Sequence, residues 1–314
     1  MMVRIKNIIG LAAIGLLVGV ATGQSIAQPS VQDLSGYLSA IRSNPTLPVP
    51  KSVLSDPQNE SLLLTTVSPF LTDTLEQVRA KAFYLVSSIG QKSNATTVRQ
   101  SAVGYILKGI QDKSTGINGV ATEALTHFKI ADFNNTARVS LGEALVASTH
   151  HLDQVVKLAG YLKEQGYAEK ISLLLTAASS KKHKWACRLA LARMGNAPAI
   201  QYLKDKLLTA TVNDDFVYDV VPDLLYTRNA EVFKYIETIV QSDTYACEPA
   251  DPDASGSLLC AYRVMEYLSP YISNFPLRTD DQGNLEETDY KQALQKLRKW
   301  LNENKNYQIK DETY

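Results

Sequence analysis

The chain has 314 residues, and its 32 Lys and Arg are balanced by 32 Asp and Glu. Hydrophobic residues make up 45% of it and charged residues 20%, a globular composition that excludes a disordered chain or a protein crossing a membrane many times. The zero net charge argues against nucleic acid as a partner, because proteins that bind it neutralise phosphates with clustered Lys and Arg.

The N-terminus predicts a secretory signal peptide. Arg4 and Lys6 precede an uncharged apolar run from residue 8 to residue 21, and small residues follow. A membrane-spanning helix needs about 20 apolar residues, so this shorter run favours cleavage over a retained anchor. We therefore expect a periplasmic or secreted protein with no stable membrane insertion after cleavage. The two candidate cleavage sites are Gly23/Gln24, which makes residues 1–23 the signal peptide, and Ala27/Gln28.

A short helix and a linker are expected next, over residues 24–55. The apolar pattern favours a helix from about Asp33 to Ser43. Residues 44–50 contain three prolines, which predicts an extended linker. The first repeat of the main domain is then expected near Asp56.

Residues 56–272 carry apolar stripes with helical spacing, and no long stretch shows the alternation typical of a strand. Each stripe is only about three turns long, and helices of that length are not stable alone in water. The sequence therefore predicts an all-α fold whose helices stack on one another. The predicted helices cover residues 75–89, 98–110, 118–128, 136–147, 152–164, 168–178, 183–194, 198–209, 215–227 and 230–241.

Short polar segments separate these stripes, for example residues 90–94, 113–116 and 211–215. Connections this short make consecutive helices antiparallel neighbours. Helix pairs recur about every 40 residues, a period typical of α-solenoids, in which each repeat packs on the next.

Three runs of sequence share a motif. Gln-Val-Arg-Ala-Lys-Ala at 77–82 and Thr-Val-Arg-Gln-Ser-Ala at 97–102 are similar to the core of a HEAT-repeat helix, and residues 185–203 resemble a whole HEAT helix pair with its glycine turn. The resemblance to this armadillo-like family implies a right-handed α-α superhelix of about five or six helix pairs that binds a protein partner. The arginine of such a motif can bind backbone or acidic groups at a turn. Several units lack the family's usual aspartate and proline.

The three cysteines are interpreted separately. Export places them in an oxidising compartment, where cysteines tend to pair. Cys247 and Cys260 flank a run of turn-forming residues between two helical patterns, which predicts a disulfide that stabilises the fold by about 3 kcal/mol. Cys187 lies in an apolar helical pattern, so we interpret it as a buried, inert thiol; His183 is the local base that a nucleophilic cysteine would need.

Residues 273–314 are predicted to form a linker and a C-terminal capping helix. The helical pattern breaks near Pro276 and again near Gly283. It resumes near Glu286, and Tyr290, Leu294, Leu297 and Leu301 then form one apolar stripe.

The sequence lacks a nucleotide-binding glycine loop, a His-Glu-x-x-His zinc motif and a Cys-x-x-Cys motif. Asp251, Asp253 and Ser255 match the start of a calcium loop, but Tyr262 stands where the bidentate carboxylate belongs, so a plain turn is favoured. We therefore expect no cofactor, no metal and a non-enzymatic scaffold or adaptor. The alternatives are a peptide- or glycan-binding module and an enzyme whose carboxylates meet only in the folded chain.

Two groups of residues are candidates for partner contacts. The first is the densest cationic patch, which could bind an anionic partner but is also explained as a solvated helix start. The second comes from the 16 tyrosines, which outnumber the 7 phenylalanines; they could line a concave surface or be half-buried core residues. The candidates are Lys181, Lys182 and Lys184 in the first group and Tyr202, Tyr226 and Tyr235 in the second.

Overall fold

The computed structural model describes residues 31–50, 59–147, 149–249 and 256–314, which form the all-α fold that the sequence predicts. The predicted signal peptide with both cleavage sites lies outside the described residues, as do Asp251, Asp253 and Ser255. The α-helices are α1 (Val31–Ala40), α2 (Glu60–Val67), α3 (Glu76–Lys92), α4 (Thr96–Ile106), α5 (Thr115–Thr126), α6 (Asn135–Ala144), α7 (Leu152–Leu162), α8 (Gln165–Ala177), α9 (Lys181–Arg193), α10 (Ala197–Leu208), α11 (Val221–Tyr226), α12 (Ala230–Gln241), α13 (Cys260–Leu268) and α14 (Tyr290–Glu303).

The helices stack in two rows. Most consecutive helices pack on each other, and helices two apart in the chain also touch. Contacts link α1, α3, α5, α7, α9, α11 and α13 in order, and we call these helices the odd row. The even row is α2, α4 and α6, followed by α10, α12 and α14. Contacts between near neighbours along the chain are what a stack of short helices requires, because each helix buries its apolar face against the next.

The N-terminal helix belongs to this stack. Helix α1 packs on α2 and α3, and the Tyr37 hydroxyl donates to the carbonyl oxygen of Leu47 at 3.2 Å. The described part of the expected linker is therefore held against α1. The buried side chains Leu34, Leu38 and Ile41 account for this packing, since they give the short helix an apolar face.

One predicted helix, over residues 215–227, changes from π-helical to α-helical in the structure. A π-helical turn covers Phe216–Val220, and α11 follows with Pro222 in its first turn. Proline has no N–H to donate and is tolerated in the first turn of a helix, where that N–H would have no partner in the helix. The segment is helical without interruption from residue 214 to residue 226, and the π-helical turn lies directly before the turn that contains Pro222.

A two-stranded hairpin interrupts the helices. Strand β1 (Tyr245–Cys247) pairs antiparallel with β2 (Leu258–Leu259), and a disulfide joins Cys247 to Cys260 at the start of α13. The predicted disulfide is thus confirmed. Cys187 is free and buried in α9, as the sequence predicts.

Arginines of the repeated motif connect helices two apart. Arg79 of α3 donates to both carboxylate oxygens of Asp112, at 2.8 and 2.9 Å, just before α5. Arg99 of α4 donates to Asp132 at 2.8 Å, before α6. Arg138 of α6 donates to the carbonyl oxygen of Phe133 at 2.7 Å and to the carboxylate of the residue before α8. The expectation that motif arginines bind backbone and acidic groups at turns is confirmed for Arg79 and Arg99, and Arg138, outside the three runs, does the same. Arg188 of the third run instead stacks on the ring of Tyr202.

The C-terminal segment packs on the stack and then folds back along it. Helix α14 contacts α12 and α13 through its apolar stripe. Beyond it, Ile309 forms an antiparallel bridge with Ile272, and the N–H of Lys310 donates to the carbonyl oxygen of Tyr271 at 2.8 Å. This course brings residues 311–314 against the odd row, a contact that the sequence does not predict.

Candidate functional site

The structure places the three candidate lysines at the start of α9. Lys181 and Lys182 are exposed, and Lys184 is half-buried. The ammonium of Lys182 lies 2.9 Å from a carboxylate oxygen of Asp153 on α7, so one charge of the patch is neutralised. A role of these lysines in binding an anionic partner stays a prediction.

The three candidate tyrosines lie on different helices and do not share a surface. Tyr202 lies on α10 of the even row, where the guanidinium carbon of Arg188 stands 3.4 Å from its ring centroid. Tyr235 lies on α12 and contacts Phe216 edge-on. Tyr226 ends α11 in the odd row and is only 4% exposed. A partner can therefore contact Tyr226 only by inserting a group between the helices of the odd row.

Residues 311–314, which we call the tail segment, occupy a groove on the odd row. The groove is lined by side chains from α7, from α9 and from the end of α11. We call it the tail groove, and its lining residues are Tyr161, Lys163, Arg193, Tyr226 and Arg228.

The tail groove binds the main chain of the tail segment. The Tyr161 hydroxyl lies 2.9 Å from the carbonyl oxygen of Glu312, and Arg193 Nη2 donates to that of Thr313 at 2.7 Å. Arg228 Nη2 donates to the O atom of Tyr314 at 2.6 Å. Burial raises the pKa of Tyr161 to about 12, so its hydroxyl keeps its proton at neutral pH and can donate it. Three successive residues are thus bound through main-chain oxygens.

An aromatic slot in the tail groove holds the Tyr314 ring. The ring centroid lies 5.7 Å from that of Tyr161 and 5.4 Å from that of Tyr226, in edge-on and tilted arrangements. The Arg193 guanidinium stands 4.9 and 4.8 Å from the same two centroids. Edge contacts between aromatic rings and a cation over a ring face are both attractive, so the slot favours an aromatic side chain.

The tail groove is also positively charged. The Arg193 side chain is 0% exposed, and its ion pair with Asp311 spans 3.5 Å. Lys163 pairs with the same carboxylate. Burial, and then the charge of Arg193, lower the pKa of Arg228 to about 10. Placing two arginines together away from water is unfavourable, so this groove attracts an anion.

A separate cavity of about 250 Å³ lies between α7, α8 and α9. Asp153, His183 and Cys187 line it together with apolar side chains. Burial raises the pKa of the Cys187 thiol to about 11, so the thiol is protonated at neutral pH. A protonated thiol is a poor nucleophile, which agrees with the interpretation of Cys187 as an inert core residue.

In the part of the chain that the structure describes, no three His, Cys, Asp or Glu side chains come together as a metal site would need. None of the helices in those ranges is both long and apolar enough to span a membrane.

Comparison with protein-family models gives no match to this chain, and comparison with curated proteins gives none either. The HEAT resemblance therefore rests on the motifs at 77–82, 97–102 and 185–203 and remains a proposal about ancestry. The helical stack itself does not depend on it.

Sequence reasoning did not identify Tyr161, Arg193, Arg228 or the tail segment as parts of a site. One signal was present: Arg193 continues the apolar stripe of α9, four residues after the buried Leu189. An arginine on the buried face of a helix needs polar or anionic partners, because an unpaired buried charge is very costly. Its partners in the tail segment lie more than 100 residues away, where no local pattern points to them.

Proposed function

We propose that this chain is a non-enzymatic interaction scaffold that binds an extended segment of a protein partner in the tail groove. The observation that carries the proposal is that the groove already holds a four-residue segment by its main-chain oxygens. Contacts to the main chain are available from any extended peptide, and side-chain pockets then give selectivity.

The chemistry of the groove supports binding over catalysis. Arg193 and Arg228 are cations at neutral pH, and Tyr161, whose pKa burial raises to about 12, is neutral there. Groups of this kind do not exchange protons near neutral pH, as a general acid or base must. Donors directed at carbonyl oxygens also favour a peptide over a glycan, whose hydroxyls both donate and accept.

We further propose that the protein acts in the periplasm or outside the cell. The disulfide between Cys247 and Cys260 supports this compartment, since such bonds persist where conditions are oxidising. The signal-like N-terminus points the same way. The expected right-handed superhelix would present the odd row as one continuous surface to the partner.

Photocrosslinking in intact cells, followed by affinity capture and mass spectrometry, tests the function. A photoreactive residue replaces Glu123, which is exposed on α5 and close enough for its charge to act on Tyr314. The matched control carries the same residue at the exposed Lys299 of α14. We expect one protein to be captured from position 123 and not from position 299. Capture of no protein, or equal capture from both positions, would contradict the proposal.

A further inference from the structure

We propose that the tail segment is a self-ligand: it occupies the site of a partner segment with the same chemistry, an extended peptide carrying a carboxylate three residues before an aromatic ring. This inference rests on the proposed function, because it names the partner segment that the tail groove accepts. It also adds regulation, since the chain's own tail must leave before the partner binds.

The groove is organised by the stack and not by the tail segment. Arg193 Nη1 donates to the carbonyl oxygen of Tyr226 at 3.0 Å, which fixes the guanidinium between the two tyrosine rings. Arg228 has a left-handed backbone, with φ of 51°, and its Nη1 donates to the carbonyl oxygen of Leu225 at 2.8 Å. Its guanidinium also lies over the Tyr271 ring, 4.0 Å from the centroid. The binding groups are therefore held in place by residues outside the tail segment.

The stack leaves the charge of these two arginines for an occupant to balance. Across the described ranges, Asp311 supplies the only aspartate or glutamate oxygens within 4.0 Å of Arg193, and none lies that close to Arg228. The nearby Asp223 is already bound, because Lys157 and the indole N–H of Trp185 each donate to it at 2.6 Å. An occupant without a carboxylate would leave these cations poorly balanced.

The exposure of the tail segment shows which of its side chains are recognised. Asp311 and Tyr314 are half-buried in the groove, whereas Glu312 and Thr313 are exposed. Glu312 is bound through its carbonyl oxygen, so its side chain is free to vary. Thr313 is bound through its carbonyl oxygen and also through its hydroxyl, which accepts from Arg228 Nη2 at 3.2 Å. The recognised pattern is therefore a carboxylate, one unspecified residue, a hydroxyl-bearing residue and an aromatic ring.

The tail segment is accessible enough to be displaced. The Asp311 side chain is 46% exposed and that of its partner Lys163 is 35% exposed, so this ion pair lies at the rim. Exposed ion pairs contribute little to stability, because water screens them. A competing segment can therefore begin to replace the tail at this end. The apparent affinity for a partner is the intrinsic affinity of the open groove multiplied by the fraction of molecules whose groove is open.

The test measures whether the open groove binds a tail peptide in trans. A fluorescent peptide with the sequence of residues 308–314 is titrated against the full chain and against a chain ending at Lys310, with anisotropy as the readout. We expect the shortened chain to bind at least about tenfold more tightly than the full chain, since it has no competing tail.

Peptide variants test the recognised pattern. In the peptide, Tyr314→Ala and Asp311→Asn should each weaken binding by about tenfold or more, because the first empties the aromatic slot and the second removes the carboxylate. The matched control is Glu312→Gln, which alters an exposed carboxylate and should change affinity less than about twofold. Equal affinity for all the peptides, or no binding to a folded shortened chain, would overturn the inference.

A second variant controls for the possibility that the truncated chain does not fold. The full-length Tyr314→Ala variant keeps the tail but empties the slot, and circular dichroism reports whether each chain is folded. If both chains unfold, the tail is a structural element and the inference is wrong. If the peptide fails to bind but crosslinking from position 123 still captures a protein, the proposed scaffold function is supported and the tail-like motif is contradicted. If the peptide binds but no protein is captured, the motif is supported and the scaffold function is contradicted.

Discussion

Ion pairs at the turns join α3 to the start of α5 and α4 to the start of α6. The clearest is Arg79 with Asp112, whose side chains are 4% and 8% exposed. Burial works against the charged form of Asp112, but two bonds from Arg79 and one from the N–H of Ser114 outweigh it and lower the pKa of Asp112. A carboxylate with a lowered pKa stabilises the fold while it is ionised.

The Asp112→Asn substitution should lower the free energy of unfolding at pH 7 by about 3 kcal/mol, because it leaves Arg79 buried without its anion. The wild type keeps this contribution above the ordinary aspartate pKa of about 3.9 and loses it as pH falls through the lower, folded-state value. Urea unfolding between pH 7 and pH 2 should therefore show a smaller loss in the variant. The exposed pair of Lys299 and Glu303 is the control, and Lys299→Gln should cost about 0.5 kcal/mol or less. Parallel pH profiles for Asp112→Asn and wild type would contradict this account.

At the scale of the element, helices α7 and α9 pack closely at Gly160. A Cβ atom added at Gly160 would lie 2.7 Å from the Cα of Ala190 and 2.5 Å from the hydroxyl oxygen of Tyr226. Both distances are shorter than carbon and oxygen atoms tolerate, and the first neighbour is backbone that cannot swing away. The absence of a side chain at Gly160 allows α9 to approach α7 this closely. Because α7 and α9 carry Tyr161 and Arg193, this approach also determines the width of the tail groove.

Gly160→Ala should lower the free energy of unfolding by about 2 kcal/mol, since the added methyl group forces the two helices apart. Gly104→Ala is the matched control: this glycine is exposed in α4, and an added Cβ meets nothing within 4 Å. There the better helix propensity of alanine should raise stability by about 0.5–1 kcal/mol. Chemical denaturation of the two variants checks both signs, and a stabilised Gly160→Ala would refute the proposed contact.

The hairpin before α13 depends on its disulfide. Replacing Cys247 and Cys260 by serine should lower the free energy of unfolding by about 3 kcal/mol, because the unfolded chain regains the freedom of the closed loop. A reductant should destabilise the wild type by a similar amount and leave the double variant unchanged. Thermal unfolding with and without reductant makes the comparison. Sensitivity of the double variant to reductant would point to another redox-active group.

Across the whole molecule, the tail segment ties together helices that the stack connects only through near neighbours. It contacts Tyr161 of α7, Arg193 of α9 and Arg228 after α11. In a stacked array, stability spreads mainly between adjacent units, so a tie of this kind acts on the units it touches.

Removing residues 311–314 should therefore raise amide hydrogen exchange locally. We expect faster exchange in α7, α9 and α11, and little change in α3 and α4, which lie toward the N-terminal end of the odd and even rows. Hydrogen exchange read by mass spectrometry resolves these helices. A uniform increase over all of them would mean that the tail stabilises the molecule as one cooperative unit.

The sequence by itself determined the helical class, the short connections and the disulfide. These features follow from apolar periodicity and from turn-forming residues, which are signals contained within a few dozen neighbouring positions. The arginine bonds belong to the same group, since Arg79 and Asp112 are 33 residues apart, within one repeat length.

Only the tertiary structure decided the tail groove. Tyr161 meets Glu312 across 151 residues, and Arg193 meets Thr313 across 120. Tyr226 was a candidate surface residue in the sequence, yet the fold covers it with Tyr314. A helical stripe reports which face of a helix is buried, but it does not report which distant segment covers that face. That choice depends on where the stack brings α7, α9 and α11 together and on where α14 directs the chain that follows it.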